Sequence, residues 1–450
     1  MKRRLRKLIA LAAPAALAAL LAIPASGAAT TGISPARAFV PHQLVVKLEG
    51  ERSGRTVRLP AETGVREAVA ALRRNPQVVY AEPIYIATAS TTPTQPPGEI
   101  PNDPGTLDIT PAVPGAWVAR QWNFLPWEGP AKTLLPISPG GIDVAGAWAN
   151  LSTVGRPGGV GTTVAVLDTG IAYRPLSSRF KRSPDFTTGQ FAPGRDFVDG
   201  DLLPLDLNGH GTHVAGTIAE KTNNAIGLTG IAYRARLMPV RVLDGQGRGQ
   251  ADDIAQGIRF ATAHGADVIN MSFNFGCGKR VPSVDEALRQ AYREGVVTVA
   301  SIGNLGAESC VSPPATGPHV VGVGGTTEGG CLGDYSLSGD KVDLLAPGGG
   351  FPAAGCPSVS MRPIYQVTLR EHNPRRFDVP ANYVGTSMAA AHVSGVAALV
   401  IASGVSGKDP SPKRVLRRLR ATARDLGLPA TKQGAGLIDA ALATEPSARY

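Results

Sequence analysis

Short, largely apolar runs alternate with segments of helical spacing from about residue 160 onwards, and this alternation constrains the fold most. The apolar runs, which lack the polar alternation of a half-exposed strand, occupy 162–167, 236–243, 267–272, 296–301, 320–323 and 342–345. Helical spacing or length occurs at 212–220, 253–263, 283–294 and 388–402. Strands buried on both faces are typical of parallel sheets with helical connections. The sequence therefore predicts an α/β fold with a mostly parallel sheet and helices on both faces.

The N-terminal part of the chain has a different organisation. Residues 1–28 combine a basic start, an apolar run over 8–23 and small residues at 25–28, which is the pattern of a secretory signal peptide. A retained N-terminal anchor is the alternative. Residues 29–100 hold a small α+β unit, with strands expected at 43–49, 56–59 and 78–80, a helix at 65–74, and a Pro-rich linker. Residues 101–450 form the main domain, with an irregular N-terminal segment and a core at about 140–442.

The distribution of charge argues against a nucleic-acid partner. The formal net charge of +10 favours such a partner when taken alone. However, residues 1–28 carry five basic and no acidic residues, whereas residues 101–450 carry 32 basic and 29 acidic residues. The basic stretch 413–424 also places Val415, Leu416 and Leu419 at helical spacing, which favours an amphipathic surface helix. We therefore expect no nucleic-acid partner.

The cysteines indicate disulfides in an exported protein. Cys277, Cys310, Cys331 and Cys356 form an even set without a C-x-x-C motif or a neighbouring His cluster, which disfavours zinc. Three pairings are possible. We favour Cys277–Cys310 and Cys331–Cys356, since each closes a local Gly-rich loop.

Four polar residues stand where strands end or helices begin. Asp168 follows the apolar run 162–167 in Asp-Thr-Gly, and Asn304 follows the run 296–301. His210 lies between glycines at the start of a predicted helix, and Ser387 opens the long apolar helix in Gly-Thr-Ser-Met-Ala. Taken singly, each is also explained as a turn, core or capping residue. A metal pair of His210 with His213 lacks the spacing of the zinc-protease motif.

The order Asp, His, Asn, Ser is that of subtilisin, and the chain resembles the subtilisin-like serine protease family (subtilases) over roughly 140–442. The resemblance is carried by Val-Ala-Val-Leu-Asp-Thr-Gly, Gly-His-Gly-Thr-His-Val-Ala-Gly and Gly-Thr-Ser-Met-Ala. It implies a serine endopeptidase that hydrolyses peptide bonds through an acyl-enzyme. Ser387 would be the nucleophile, His210 the general base, Asp168 its orienting partner and Asn304 an oxyanion donor.

The resemblance also implies a substrate edge, a precursor and an ion. Ser272, Phe273 and Asn274 would pair with the peptide backbone, and Asn274, where relatives often have Gly, would narrow the adjoining pocket. Residues 29–100 resemble an abbreviated inhibitory propeptide of a zymogen. No cofactor is expected for catalysis, and Asp185 with Asn224 would hold a structural calcium ion, with a surface turn as the alternative.

Further expectations concern location and partners. The protein is expected to be secreted and extracellular, to act on proteins or peptides, to bind its own propeptide, to be monomeric, and to have no membrane attachment after signal removal. A catalytically silent binding protein on the same scaffold is the competing hypothesis.

Overall fold

The computed structural model describes residues 39–51, 54–61, 63–85, 100–107, 113–128, 135–306, 310–358 and 360–446. The chain divides into two compact units, Met1–Thr92 and Pro93–Tyr450. The predicted signal peptide, 1–28, and most of the predicted linker lie outside the described residues.

The first unit is a small antiparallel sheet with one helix. Its strands are β1 (Phe39–Leu48), β2 (Arg55–Arg58) and β3 (Val78–Tyr85), in the order β2-β1-β3, and helix α1 spans Val65–Leu72. The helix buries Val65, Ala68, Val69 and Leu72, which lie at helical spacing, in the unit's own core. The strands and helix predicted for this region are all present.

The second unit is built on a seven-stranded sheet in which every pairing is parallel. Its strand order is β10-β9-β8-β7-β4-β6-β5. The strands are β4 (Thr163–Asp168), β5 (Arg195–Asp196), β6 (Arg236–Arg241), β7 (Val268–Met271), β8 (Val297–Ser301), β9 (Val320–Thr326) and β10 (Leu344–Pro347). Nearly all their side chains are buried, as the largely apolar runs predicted. The predicted α/β class is confirmed.

Helices cover this sheet in two packed groups. They are α2 (Val144–Thr153), α3 (His210–Ala219), α4 (Ala251–Ala263), α5 (Pro282–Arg293), α6 (Thr386–Ser403), α7 (Pro412–Ala421), α8 (Ala430–Gln433) and α9 (Ala440–Thr444). Helices α4 and α5 pack together, while α3 packs on α6, which crosses β7 to β10. The predicted amphipathic helix corresponds to α7, whose Val415 and Leu419 are buried.

Helix α6 is apolar on all sides, which is typical of a helix that is buried within a domain. Among the described residues it is the one helix long and apolar enough to cross a membrane, but 78% of its apolar window is buried inside the protein. Its place in the fold is that of a core helix.

Several parts of the second unit were not predicted from the sequence, including the short elements β5, α8 and α9. Helix α2 buries Trp148, and short 3₁₀ turns at Ala116–Ala119 and Trp122–Phe124 bury Trp117 and Trp122 in the main core. A hairpin of β11 (Thr368–Arg370) and β12 (Asn373–Asp378) precedes α6. The hairpin lacks apolar alternation, because half of β12 is exposed and those exposed residues are all charged.

The favoured disulfide pairing is confirmed. Cys277 is bonded to Cys310 and Cys331 to Cys356, and no cysteine is left free among the described residues. Each bond closes a local loop, as expected.

Candidate active site

The carboxyl ends of three adjacent parallel strands place the candidate residues at one edge of the sheet. Asp168 is the last residue of β4, Ser272 follows β7, and Asn304 lies three residues after the end of β8. Because β4, β7 and β8 are neighbours, these residues share the rim where ligands bind in open α/β sheets.

Asp168 and His210 are joined by a hydrogen bond. Asp168 is fully buried, and its Oδ1 lies 2.8 Å from His210 Nδ1. The same oxygen accepts a hydrogen bond from the N–H of Thr169 at 2.8 Å. The bond leaves Nε2 as the free nitrogen of the His210 ring, and that ring remains partly exposed. A buried carboxylate on one nitrogen fixes both the tautomer and the direction of the other.

The pKa of His210 reflects two opposing effects. Burial lowers it, but the charge of Asp168, the hydrogen bond to Asp168 and the charge of Asp206 act in the opposite direction. The net result is a pKa raised above the ordinary value of 6.5. The contact with Asp168 therefore favours the protonated form of the ring, which is the form that a general base takes on when it accepts a proton.

A second buried carboxylate, Asp206, organises the loop that leads into His210. Its Oδ1 accepts hydrogen bonds from the N–H groups of Asn208 and Gly209 and from the hydroxyl of Thr169, at 2.8–2.9 Å. Its Oδ2 accepts from the N–H of Thr212 at 3.0 Å and from its hydroxyl at 2.6 Å. Asp206 thus ties the segment after Asp168 to the start of α3. The sequence analysis missed this residue, and its one available signal was an Asp four positions before the His.

Ser387 lies in the first turn of α6, where backbone N–H groups have no intrahelical acceptor. Its Oγ donates a hydrogen bond to the backbone carbonyl of Ser272 at 2.9 Å, and Ser272 Oγ donates to the carbonyl of Ser387 at 2.9 Å. Of the hydrogen bonds among the described residues, none joins Ser387 to His210. The two side chains nevertheless line one cleft of about 280 Å³, together with Ser272, Phe273 and Asn274.

Asn304 is held beside the start of α6 by Thr386. Its Oδ1 accepts hydrogen bonds from the backbone N–H and from the hydroxyl of Thr386, both at 2.8 Å. Asn304 is itself exposed. The amide oxygen is therefore occupied, and Nδ2 is the end of the side chain left to act as a donor.

Phe273 and Asn274 continue from β7 along the cleft. Phe273 is half-buried and packs edge-on against Phe275, whereas Asn274 is exposed and accepts a hydrogen bond from the N–H of Gly276 at 3.2 Å. The predicted substrate edge therefore lies along the cleft that also contains His210 and Ser387.

His213 is a core residue. It is fully buried, its Nε2 bonds to the carbonyl of Ile364 at 3.0 Å, and its ring stacks on Tyr383. Burial lowers the pKa of His213 to about 3, which keeps the ring neutral. His213 therefore has a packing role. In the part of the chain that the structure describes, no group of three or more His, Cys, Asp or Glu side chains is suited to a metal.

The two residues predicted for calcium are in contact with each other. Asp185 is fully buried, and its Oδ1 accepts a hydrogen bond from Asn224 Nδ2 at 2.8 Å. Burial and the charge of nearby Asp103 raise the pKa of Asp185 well above its ordinary value. Asp103, also buried, accepts hydrogen bonds from the N–H groups of Asn223 and Asn224.

Comparison with known proteins points to one protein family. Residues 159–436 match the subtilase family. A thermophilic serine proteinase of Bacillus sp. (strain AK1) is 34% identical over 341 residues, which cover 76% of this chain and 67% of the relative. An extracellular protease of Xanthomonas campestris is 31% identical and is matched over 96% of this chain and 70% of its own length.

A solved protease structure is similar to this chain as well. The structure of a protease from Pseudoalteromonas arctica aligns with a TM-score of 0.59 and 31% identity, covering 77% of this chain and 98% of that one. Both the sequence and the fold are therefore similar to those of serine proteases.

Proposed function

The chain belongs to the subtilase family and is a serine endopeptidase; from that premise we propose that Ser387, His210 and Asp168 are its catalytic residues. The observation that carries the proposal is the hydrogen bond between Asp168 and His210 Nδ1, which leaves Nε2 of the ring free. His210 and Ser387 line the same cleft.

The proposed reaction begins with a rotation of the Ser387 hydroxyl. Oγ leaves the carbonyl of Ser272 and turns to His210 Nε2, which takes the proton as Oγ bonds to the scissile carbonyl carbon. Collapse of the tetrahedral intermediate breaks the C–N bond, and His210 delivers the proton to the leaving amine. Water then attacks the acyl-enzyme and gives its proton to His210, and release of the acid returns that proton to Ser387.

The negative oxygen of the intermediate is proposed to be stabilised by two donors. One is Asn304 Nδ2, whose direction is set by the two bonds from Thr386 to the amide oxygen. The other is the N–H of Ser387 in the first turn of α6. Donors that are fixed before the charge develops are the main source of stabilisation in such sites.

A fluorophosphonate probe tests the assignment directly. The wild-type protein is expected to react at Ser387 and to lose activity, whereas Ser387→Ala is expected to neither label nor hydrolyse casein. Hydrolysis by Ser387→Ala at the wild-type rate would show that another residue is the nucleophile. A folded wild-type protein that does not label would favour the silent binding scaffold.

We further propose that the protein is secreted and made as a precursor. The order of basic, apolar and small residues over 1–28 supports export, and the α+β unit ahead of the catalytic domain supports a propeptide. N-terminal sequencing of the protein from culture medium should give a start after residue 28, or near residue 100 once the propeptide is removed. Full activity of residues 101–450 expressed alone would contradict a folding role for the propeptide.

A structural calcium ion is proposed at Asp185 and Asn224. The Asp185 carboxylate and nearby main-chain carbonyls would supply oxygen ligands of the kind that calcium prefers. The Asn224 amide, which donates Nδ2 to Asp185 and accepts from the N–H of Ile226, would turn its oxygen to the ion. Asp185 and Asp103 are buried carboxylates, and among the described residues neither forms an ion pair with a basic side chain. A cation there would offset their repulsion, with no part in the peptide-bond chemistry.

A further inference from the structure

An exposed basic surface lies next to the residues that lead into His210. It comprises two chain segments, 174–181 and 370–376, and its exposed cations are Arg174, Arg179, Lys181, Arg370, Arg375 and Arg376. We call this surface the basic lip. The segment 174–184 contains no acidic residue, although residues 101–450 as a whole are nearly balanced in charge.

The two segments of the basic lip are held together by the backbone. The N–H of Lys181 donates to the carbonyl of Pro374 in the β11–β12 hairpin at 2.9 Å. The tip of the hairpin turns through Glu371 and His372, which both have positive φ angles, 52° and 57°. The cations are therefore presented from a hairpin and a loop that are fixed to each other.

The hairpin also fixes the basic lip beside the catalytic histidine. Thr368 donates a hydrogen bond through its hydroxyl to the carbonyl of Gly209, and His372 Nδ1 bonds to the carbonyl of Asn208 at 2.5 Å. These carbonyls belong to the two residues immediately before His210. The basic lip is thus bonded to the chain before His210, whereas the predicted substrate edge at Ser272 is bonded to Ser387.

The charges of the basic lip are available to a ligand. None of the ion pairs found among the described residues involves its six cations. Within the hairpin, Glu371 and Asp378 are acidic. Two more carboxylates, Asp199 and Asp244, lie around the same surface depression as Asn208 and His372. Asp199 is paired with Arg241, and Asp244 accepts hydrogen bonds from the backbone N–H groups of Gln246 and Arg248.

We infer that the basic lip selects peptide substrates with Asp or Glu in the segment that leaves after the first chemical step. The inference rests on the proposed function, in which His210 donates its proton to the leaving amine, so that the leaving segment passes His210. The lip adjoins that side of the site and carries an excess of positive charge, so an acidic leaving segment complements it. Such a field also raises the rate at which oppositely charged substrates arrive.

The effect should be moderate and sensitive to salt. A single exposed ion pair contributes little, but several cations acting on one acidic segment should give a preference of about three- to tenfold in kcat/KM at low salt. Screening shortens the reach of charges from about 10 Å at 0.1 M salt to about 3 Å at 1 M, so the preference should shrink with added salt.

The test uses three quenched fluorescent peptides that are identical up to the cleaved bond and carry an acidic, a neutral or a basic leaving segment. Wild-type protein is compared with the double variant Arg375→Glu/Arg376→Glu. The control is Arg289→Glu/Arg293→Glu, which makes the same charge change at exposed positions of α5, outside the cleft lining. Hydrolysis of the neutral peptide reports the proposed function, while the acidic-to-basic ratio reports the inference.

The wild type and the control variant are expected to prefer the peptide with the acidic leaving segment. This preference should be lost or reversed in Arg375→Glu/Arg376→Glu. Equal rates on all three peptides in the wild type, or an unchanged preference in the lip variant, would overturn the inference while leaving the protease activity in place. Binding of heparin that depends on Arg375 and Arg376, together with equal peptide rates, would assign the lip to polyanions instead.

Discussion

Thr386 donates two hydrogen bonds to the side-chain oxygen of Asn304, one from its backbone N–H and one from its hydroxyl, each at 2.8 Å. Thr386 immediately precedes Ser387, so the proposed nucleophile and the proposed oxyanion donor are set by one turn of α6. The arrangement links a loop after β8 to the helix that crosses the sheet.

The first prediction concerns this pair. Asn304→Ala should lower kcat by about 10²–10³ with little change in KM, because an oxyanion donor acts mainly in the transition state. Thr386→Val keeps the backbone bond to Asn304 but removes the hydroxyl bond, together with the bond at 3.3 Å that this hydroxyl accepts from the N–H of Gly303. It should lower kcat less than Asn304→Ala. Steady-state kinetics on one neutral peptide measures both. Near-normal kcat in Asn304→Ala would remove Asn304 from the mechanism.

The second prediction follows from the raised pKa of His210. Protonated His210 accepts no proton from Ser387, so activity should fall as pH decreases through a pKa above 6.5. The pH profile of kcat/KM reports this pKa in the free enzyme. Asp168→Asn removes the charge that raises the pKa and should lower both kcat, by about 10⁴, and the midpoint of the acidic limb. A midpoint well below 6.5 in the wild type would contradict the assigned partner.

The third prediction concerns Asp206 as a positioning residue. Asp206→Asn replaces an acceptor of five hydrogen bonds by a group with one acceptor oxygen, and should lower the free energy of unfolding by about 2–3 kcal/mol. It should also move the acidic limb of the pH profile of kcat/KM to lower pH, because the charge of Asp206 contributes to the raised pKa of His210. Urea unfolding is best measured in the Ser387→Ala background, which prevents self-digestion. Exposed Asp252→Asn is the control and should change neither property.

The fourth prediction concerns calcium and pH. Burial raises the pKa of Asp185, so its contribution to stability is present at low pH and is lost as pH rises through the raised pKa. Calcium should offset this loss, and saturation at 100 times Kd should add about 2.7 kcal/mol. Thermal unfolding of Ser387→Ala, with calcium and with chelator, measures the difference. The difference should vanish in Asp185→Asn; an unchanged Tm in the parent protein would contradict the site.

The fifth prediction concerns the substrate edge. Asn274→Gly removes an exposed side chain from the lining of the cleft and should raise kcat/KM for peptides with a large apolar residue before the cleaved bond. Peptides with a small residue there should be affected little. Cleavage profiling on a peptide library compares the two classes, and an unchanged profile would show that Asn274 does not set the preference.

The sequence predicted the sheet, and it indicated candidate residues that the structure brings to one edge of that sheet, because both signals are local. Largely apolar runs mark β4, β7 and β8, and a polar residue at or just beyond each run marks the rim. Long-range bonds leave no such signal. The reciprocal bonds of Ser272 and Ser387, 115 residues apart, depend on how α6 packs on the sheet.

The β11–β12 hairpin shows why other parts of the site were missed. Its turn uses positive φ at Glu371 and His372, which are residues that rarely mark such a turn, and its strands are charged. Its functional meaning depends on contacts with Asn208 and Gly209, which are distant in sequence. Asp206 was overlooked for a similar reason, since its role lies in the bonds it accepts.

The Cys277–Cys310 bond has a consequence for the survival of a protease among other copies of itself. The loop it closes begins at exposed residues, including Lys279 and Arg280, where another molecule could cut. A single cut between the two cysteines would leave both fragments covalently attached, with the segment after Phe273 still tethered to the chain beyond Asn304. A nicked molecule would therefore keep its cleft assembled, and self-digestion at this loop would be visible on a gel only after reduction.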